Sequence, residues 1–259
     1  MAQLIFLGTA AALPVADRDN TSLAVIGHTP ASGLLIDCGG NSWSSLQRAQ
    51  VGPDTISDLF ITHAHIDHIG GLPSLIESFR LGRRQAPLRI WAIPEALDIA
   101  KQIVDVFGYE LTLDSWTYEI SFHAVEDGER HTLAGFPARI QRVDHSLPCA
   151  GLRLELPLGA VAYTSDTQPV DAVQSLGEGA RMLITECTFL QNGVEYARRS
   201  KHSTALEAGQ EAAACGVEML GLVHLGVAEG WTANDARAEA ERAFRGVVLT
   251  PGDGESIEV

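Results

Sequence analysis

Nowhere in the chain do roughly eighteen apolar residues run together, which excludes an ordinary membrane-spanning helix. The opening residues 1–9 form a short strand-like run without the basic, apolar and small-residue pattern of a secretion signal, so a soluble, cytoplasmic protein with no membrane partner is expected. Cysteine is scarce: Cys38, Cys149, Cys187 and Cys215 are far apart, form no C-x-x-C pair and sit among apolar neighbours, as in reduced cytosolic proteins. A disulfide framework is therefore not expected. Positive charge is also short, with 18 Lys and Arg against 33 Asp and Glu and a formal net charge of −15. A protein that grips a large polyanion needs a basic face, so the long-range field disfavours a folded RNA. Bound divalent ions would soften that field locally, and a short nucleotide or small phosphate ester is easier to accept.

What is present is apolar substance and chelating side chains. With 259 residues, 46% of them hydrophobic, the chain can bury a large core, and one domain spanning 1–259 is expected. Apolar, β-branched runs at 4–7, 22–26, 34–37, 59–62, 88–92 and 161–164 are bounded by Gly, Pro or Asp and read as strands. Helices are expected at 94–106, opened by Pro94, at 205–215, closed by Gly216, and at 233–244, capped by Thr232 and Asp235 and stopped by Gly246. Strands dominate both halves with helices between them, which suits a layered α/β sandwich better than a doubly wound sheet. No low-complexity linker and no short-period repeat is visible.

The most informative segment is Thr62-His63-Ala64-His65-Ile66-Asp67-His68, directly after an apolar strand. If 59–62 is a strand and 69–79 a helix, its four chelating residues lie on the loop at the strand's carboxyl end, where rigid elements can aim them inward. Imidazoles and a carboxylate packed this densely would be costly without a cation. His63 and His65 can grip one ion, Asp67 and His68 another, and two ions need further ligands. His145 after the run 140–143, Asp166 after 161–164 and His224 after 219–223 share the same strand-end placement. Asp166 is the natural bridge, since a carboxylate has two oxygens to offer.

Together with the opening Phe6-Leu7-Gly8-Thr9-Ala10 and Pro14, the residues Asn20 and Ser22, and the segments Leu35-Ile36-Asp37-Cys38-Gly39, Tyr163-Thr164-Ser165-Asp166-Thr167, Glu186-Cys187-Thr188-Phe189 and Lys201-His202-Ser203-Thr204-Ala205, the chain resembles the ribonuclease Z branch of the metallo-β-lactamase superfamily. That resemblance implies a four-layer αβ/βα sandwich. It implies two divalent metal ions, zinc by preference with manganese or iron as alternatives, one held by His63, His65 and His145, the other by Asp67, His68 and His224, and both bridged by Asp166. It further implies catalytic roles for Asp67, His202 and Glu186, with His202 as proton donor to the leaving group and Glu186 as its partner. Asp37 either orients a histidine ligand or fills an ordinary turn.

The resemblance implies a metal-dependent phosphodiesterase that attacks with a hydroxide between its two ions. The familiar lactamases of the superfamily carry Cys where Asp166 stands and lack the His202/Glu186 pair. The interval between His145 and Asp166 is too short for the tRNA-gripping arm of long-arm ribonuclease Z proteins, and Val223-His224-Leu225-Gly226 departs from that branch's usual Ser-x-Arg-Tyr ending. A small or nucleotide phosphodiester, such as a cyclic nucleotide or cyclic ribose phosphate, is therefore expected ahead of tRNA 3′ processing. A carboxylic ester, thioester or lactone hydrolase and a non-catalytic metal-dependent binding module are the competing readings. The loops 17–21, 80–86 and 228–231 are candidate pocket walls, Arg83 and Arg84 being solvated or available to a phosphate. A homodimer is expected from the prevalence of two-fold assemblies and from the resemblance.

Overall fold

Burial with a period of two decides the architecture. In the strand Met182–Cys187, Met182 and Ile184 join one apolar cluster while Leu183 joins another, so both faces of the strand are covered. The same alternation separates Tyr163 from Ala162 and Val223 from Leu222. In the computed structural model, which describes residues 1–29, 31–107 and 118–259, this pattern builds two facing sheets with helices outside them.

The first sheet comprises β1 (Gln3–Gly8), β2 (Ser22–Ile26), β3 (Gly33–Ile36), β4 (Ile56–Ile61), β5 (Leu88–Ala92) and β6 (Ile120–Ala124), in that order, with β14 (Ser256–Glu258) beside β1. The second runs β7 (Arg130–Leu133), β8 (Phe136–Val143), β9 (Cys149–Leu154), β10 (Val161–Tyr163), β11 (Met182–Cys187), β12 (Met219–Leu225) and β13 (Val247–Leu249). Each begins as an antiparallel meander and continues in parallel pairs, from β3 to β6 and from β10 to β13. Parallel neighbours need crossovers, and helices supply most of them.

In the first half these are α1 (Ser42–Arg48), α2 (Ile66–Ile69), α3 (Leu72–Leu81) and α4 (Pro94–Val106); in the second, α5 (Asp171–Gly177), α6 (Val194–Ser200), α7 (Ala205–Cys215) and α8 (Ala233–Ala240). The larger apolar cluster fills the space between the sheets, with Leu4, Phe6, Leu34 and Phe60 facing Ile140, Leu152 and Ile184. The smaller lies between the second sheet and its helices, where Ala205, Ala208 and Ala212 of α7 meet Leu183, Leu220 and Leu222. The result is the expected αβ/βα sandwich.

Local chemistry sets the element ends. Thr204 accepts from the Glu207 backbone while the Glu207 carboxylate accepts from Thr204, a capping box that starts α7, and Thr232 with Asp235 starts α8 the same way. The helix expected at 233–244 ends its regular turns at Ala240, the remainder being turn. The helix expected at 69–79 is broken into α2 and α3 around Gly70 and Gly71. At Gly71 a Cβ would stand 2.3 Å from the Gly40 carbonyl oxygen and 2.4 Å from that of Cys38. The break lets the β3–α1 loop pass directly against α2.

The two sheets are tied at the end where β4 and β12 finish. The Leu225 amide donates to Thr9 at 2.9 Å and the Ala150 amide to Thr62 at 3.1 Å. No helix among the described residues is long and apolar enough to cross a membrane, and all four cysteines are free and buried.

Candidate metal centre

The residues predicted from sequence as chelators converge at these carboxyl-terminal strand ends. His63 and His65 follow β4, Asp67 and His68 lie in the single-turn α2, His145 follows β8, Asp166 follows β10 and His224 stands in β12. One donor atom from each of His63, His65, His145 and Asp166 lies within 4.8 Å of the others, and the same holds for Asp67, His68, Asp166 and His224. Asp166 belongs to both groups. Its Oδ2 is 3.2 Å from His224 Nε2, 3.3 Å from His68 Nε2, 3.8 Å from His63 Nε2 and 3.9 Å from His145 Nε2.

The outward ring nitrogens are each held, which fixes which lone pairs face inward. Thr62 Oγ1 stands 3.0 Å from His63 Nδ1 and donates to Asp37 Oδ2 at 2.9 Å. His68 Nδ1 donates to the same Asp37 oxygen at 2.8 Å, and His145 Nδ1 to the Lys201 carbonyl at 3.1 Å. Thr188 Oγ1 donates to Glu186 Oε2 at 2.6 Å and accepts from His224 Nδ1 at 2.8 Å. Four Nε2 atoms are thereby left to point into the cluster. His65 presents Nδ1 instead, 3.0 Å from both His63 Nε2 and His145 Nε2.

That arrangement fits a cation by its own chemistry. Neither His63 Nε2 nor His145 Nε2 can donate to His65 Nδ1, 3.0 Å from each, because both of those rings carry their N–H on the outer nitrogen, so two lone pairs converge on a position with at most one proton to share. His68 Nε2 and Asp166 Oδ1 are buried with no hydrogen-bond partner among the described residues. Burial, reinforced by neighbouring imidazoles, holds His63 well below its ordinary range and lowers His65 and His145, which keeps their lone pairs free. Burial pushes the Asp166 carboxyl up, but the His224, His68 and His63 imidazoles outweigh it and hold it well below its ordinary value. Burial also disfavours charge on His68, yet the Asp166 and Asp37 carboxylates raise it well above its ordinary value. The centre as a whole calls for positive charge. A divalent cation with nitrogen and carboxylate donors supplies that charge.

His202 and Glu186 form a third, adjacent group with His224. His202 Nδ1 donates to Glu186 Oε1 at 2.7 Å, and its ring stacks on that of His224 with centroids 5.4 Å apart. Burial pushes the His202 imidazole down, but Glu186 brings it up to about 9. Ser203 donates to the Thr167 carbonyl, and Thr204 caps α7.

Several backbone devices make this possible. Asp37, Ser165, Lys201 and His224 all have positive φ, between 52° and 60°, a region that non-glycine residues occupy at some cost and mostly at functional sites. His224 was expected just after a strand ending at 223; it lies inside β12, at a register shift opposite Glu186 and Cys187 that turns its ring inward. Gly39 is required by contact, since a Cβ there would sit 1.5 Å from the Asp67 carbonyl oxygen.

Sequence reasoning missed Thr62, Thr188 and Lys201. The two threonines carry a weak signal, each lying within two residues of a candidate site residue. Lys201 contributes only a carbonyl to His145, which no side-chain pattern reveals. Arg84 is a correction: it is fully buried, donates to the Pro53 and Pro87 carbonyls and lies 5.0 Å from the Phe79 ring centroid, so it is neither solvated nor available to a phosphate.

Comparison with known proteins places this geometry. A family model described as Anti-Pycsar protein Apyc1 matches residues 2–201. A ribonuclease Z of Methanothermobacter thermautotrophicus is 29% identical over 268 residues, covering 87% of this chain and 87% of that protein. The metallo-β-lactamase fold protein YhfI from Bacillus subtilis superposes with a TM-score of 0.81 at 23% identity, covering 99% of this chain and 98% of that one. A diphosphatase from the PhnP family superposes with a TM-score of 0.78 at 20% identity, covering 100% and 98%. The chain thus belongs to the Apyc1 anti-Pycsar protein family, is similar to ribonuclease Z proteins and has the metallo-β-lactamase fold.

Proposed function

We propose that this protein is a phosphodiesterase that hydrolyses small or nucleotide phosphodiesters with two divalent cations, zinc in the first instance. The observation that carries the reading is the pair of four-residue donor groups sharing Asp166, with the His202–Glu186 pair alongside. His63, His65 and His145 would hold one cation, Asp67, His68 and His224 the other, and Asp166 both. When bound, such a pair acidifies a water and draws electron density from a phosphoryl oxygen.

The protein's own groups supply the rest. Asp37, Thr62, Thr188 and the Lys201 carbonyl hold the imidazoles so that their lone pairs need no reorganisation. Hydrolysis forms one bond from a water oxygen to phosphorus and breaks the bond from phosphorus to the leaving oxygen. The departing alkoxide needs a proton. His202 keeps one on Nδ1 for Glu186 and, raised to about 9, carries another at Nε2 near neutrality. Glu186 accepts from the Thr167 amide at 2.9 Å and from Thr188 at 2.6 Å, which fixes the carboxylate behind the imidazolium.

Transfer-RNA 3′ processing is the second reading, favoured by the relatives named ribonuclease Z. Against it stand the net charge of −15 and the interval 146–165, which β9 and β10 account for. The test is a zinc-loaded preparation assayed on bis(p-nitrophenyl) phosphate, cyclic nucleotides, a precursor tRNA and simple carboxylic esters. A small phosphodiester should be turned over fastest, and an acyl ester that outruns every phosphodiester would overturn the reading. His202→Ala should lower turnover about 10²–10⁴-fold while the bound metal is retained; full activity in that variant removes it as the acid.

A further inference from the structure

A helix that ends in the left-handed region commonly ends on glycine, as α7 does at Gly216. At the end of α6 that position is held by Lys201, with φ 57° and ψ 49°. The backbone there closes a Schellman motif: the His202 amide donates to the Ala197 carbonyl at 2.8 Å and the Lys201 amide to that of Arg198 at 3.4 Å. Glycine would serve that cap at lower cost, and nothing in it calls for a lysine side chain.

The side chain reaches back to the loop between β8 and β9. Lys201 Nζ donates to Asp144 Oδ1 at 2.7 Å while the Lys201 carbonyl accepts from His145 Nδ1 at 3.1 Å, so one residue grips two consecutive residues of that loop. Asp144 is held from the other side as well. Its Oδ2 accepts from Gln168 Nε2 at 2.5 Å and its carbonyl from the Gln168 amide at 3.1 Å, two residues past Asp166. The residue after Lys201 is His202, whose ring centroid lies 4.8 Å from that of His145. Lys201 is thus fastened to one side of the centre and covalently continuous with the proton donor. The Lys201 and Asp144 side chains are 42% and 41% exposed, and a pair so exposed favours one geometry over others by at most about fivefold.

We propose that the Lys201 side chain is a positioning group: by pairing with Asp144 it clamps the His145 loop against the turn that carries His202, and so sets the placement of the proton donor relative to the centre. The proposal rests on the hydrolase reading for the use of that proton. It gives Nζ no contact with the reacting atoms.

Lys201→Met removes the cation and keeps the stem, and Lys201→Arg restores a charged donor. Zinc-loaded parent and variants are assayed on diaryl phosphates running from bis(p-nitrophenyl) phosphate to diphenyl phosphate, whose leaving phenolates depend increasingly on a proton. In Lys201→Met, kcat should stay near the parent value on the p-nitrophenyl ester and fall progressively along the series, by about 2–5-fold on the phenyl ester, with KM unchanged. Zinc affinity, read by competition with a chelating dye, should fall by the same factor of about 2–5, because His145 is less firmly held. Lys201→Arg should recover most of both. A loss of equal size on every ester, a rise in KM in place of the fall in kcat, an unchanged zinc affinity, or an arginine variant as impaired as the methionine one overturns the proposal. A parent that turns over no diester sinks the hydrolase reading, and zinc affinity then decides for or against the clamp alone. Turnover with a flat series and unchanged zinc affinity does the reverse.

Discussion

Glu211 on α7 is a carboxylate in an unfavourable place, and its replacement gives a stability change with a defined sign. Glu211 is 6% exposed, and among the described residues its carboxylate oxygens have no hydrogen-bond partner of full geometry, only the Val170 backbone approaching them. Arg198, the nearby cation, is committed to Glu207. Burial first, then the charges of Glu186 and Glu207, raise the Glu211 carboxyl from 4.5 to about 8. Between those two values the folded protein keeps a proton that the unfolded chain has released. Stability therefore falls as pH rises from about 4.5 and levels off above about 8. The full displacement corresponds to about 3–5 kcal/mol.

Glu211→Gln removes the titration while keeping shape. Near pH 5 the variant and the parent should have similar stability. By pH 8.5 the variant should be more stable by about 3–5 kcal/mol, or on the order of 10 °C in Tm for a chain of this length. Thermal and urea unfolding of both proteins across that range, with zinc concentration held constant, provide the comparison. Other titrating groups are common to both proteins and largely cancel in the difference. A stability difference that does not grow with pH, or a variant destabilised at alkaline pH, would refute the reasoning.

Asp37→Asn removes the anion that accepts from His68 Nδ1 and Thr62, and zinc affinity should fall about 10–100-fold with the fold retained, as read by competition with a chelating dye. Arg84→Ala strands the Pro53 and Pro87 carbonyls and should cost about 2–4 kcal/mol in urea unfolding, while activity per folded molecule stays within twofold because the side chain lies outside the site.

How much of this was legible depended on how locally each residue's role is set. The segment His63 to His68 announces itself because four chelating side chains in six positions have no packing use. His145 and Asp166 follow from a placement rule, since β8 and β10 run in the same direction through their sheet and the residues just past their carboxyl ends gather at one edge of the sandwich. The inward turn of His224 was not legible, because it depends on a register shift against β11 rather than on any neighbour in sequence. Asp37 was ambiguous for the opposite reason. A left-handed Asp after a strand suits a turn, and only the spatial approach of His68 and Thr62 makes it an acceptor for both. The burial of Arg84, expected to be solvated or available to a phosphate, and that of Glu211 have no local signal, since burial of a charged side chain is set by elements far along the chain. The helix break at Gly70 and Gly71 was hidden because its cause is the carbonyls of Cys38 and Gly40.

Seven side chains are proposed to hold two cations side by side. Metal analysis of the zinc-reconstituted, dialysed protein tests this most directly, run on the parent chain and on Asp166→Ala. Two equivalents per chain in the parent and a loss of at least one in the variant are predicted; a parent chain that retains none, or a variant that still retains two, would contradict the account.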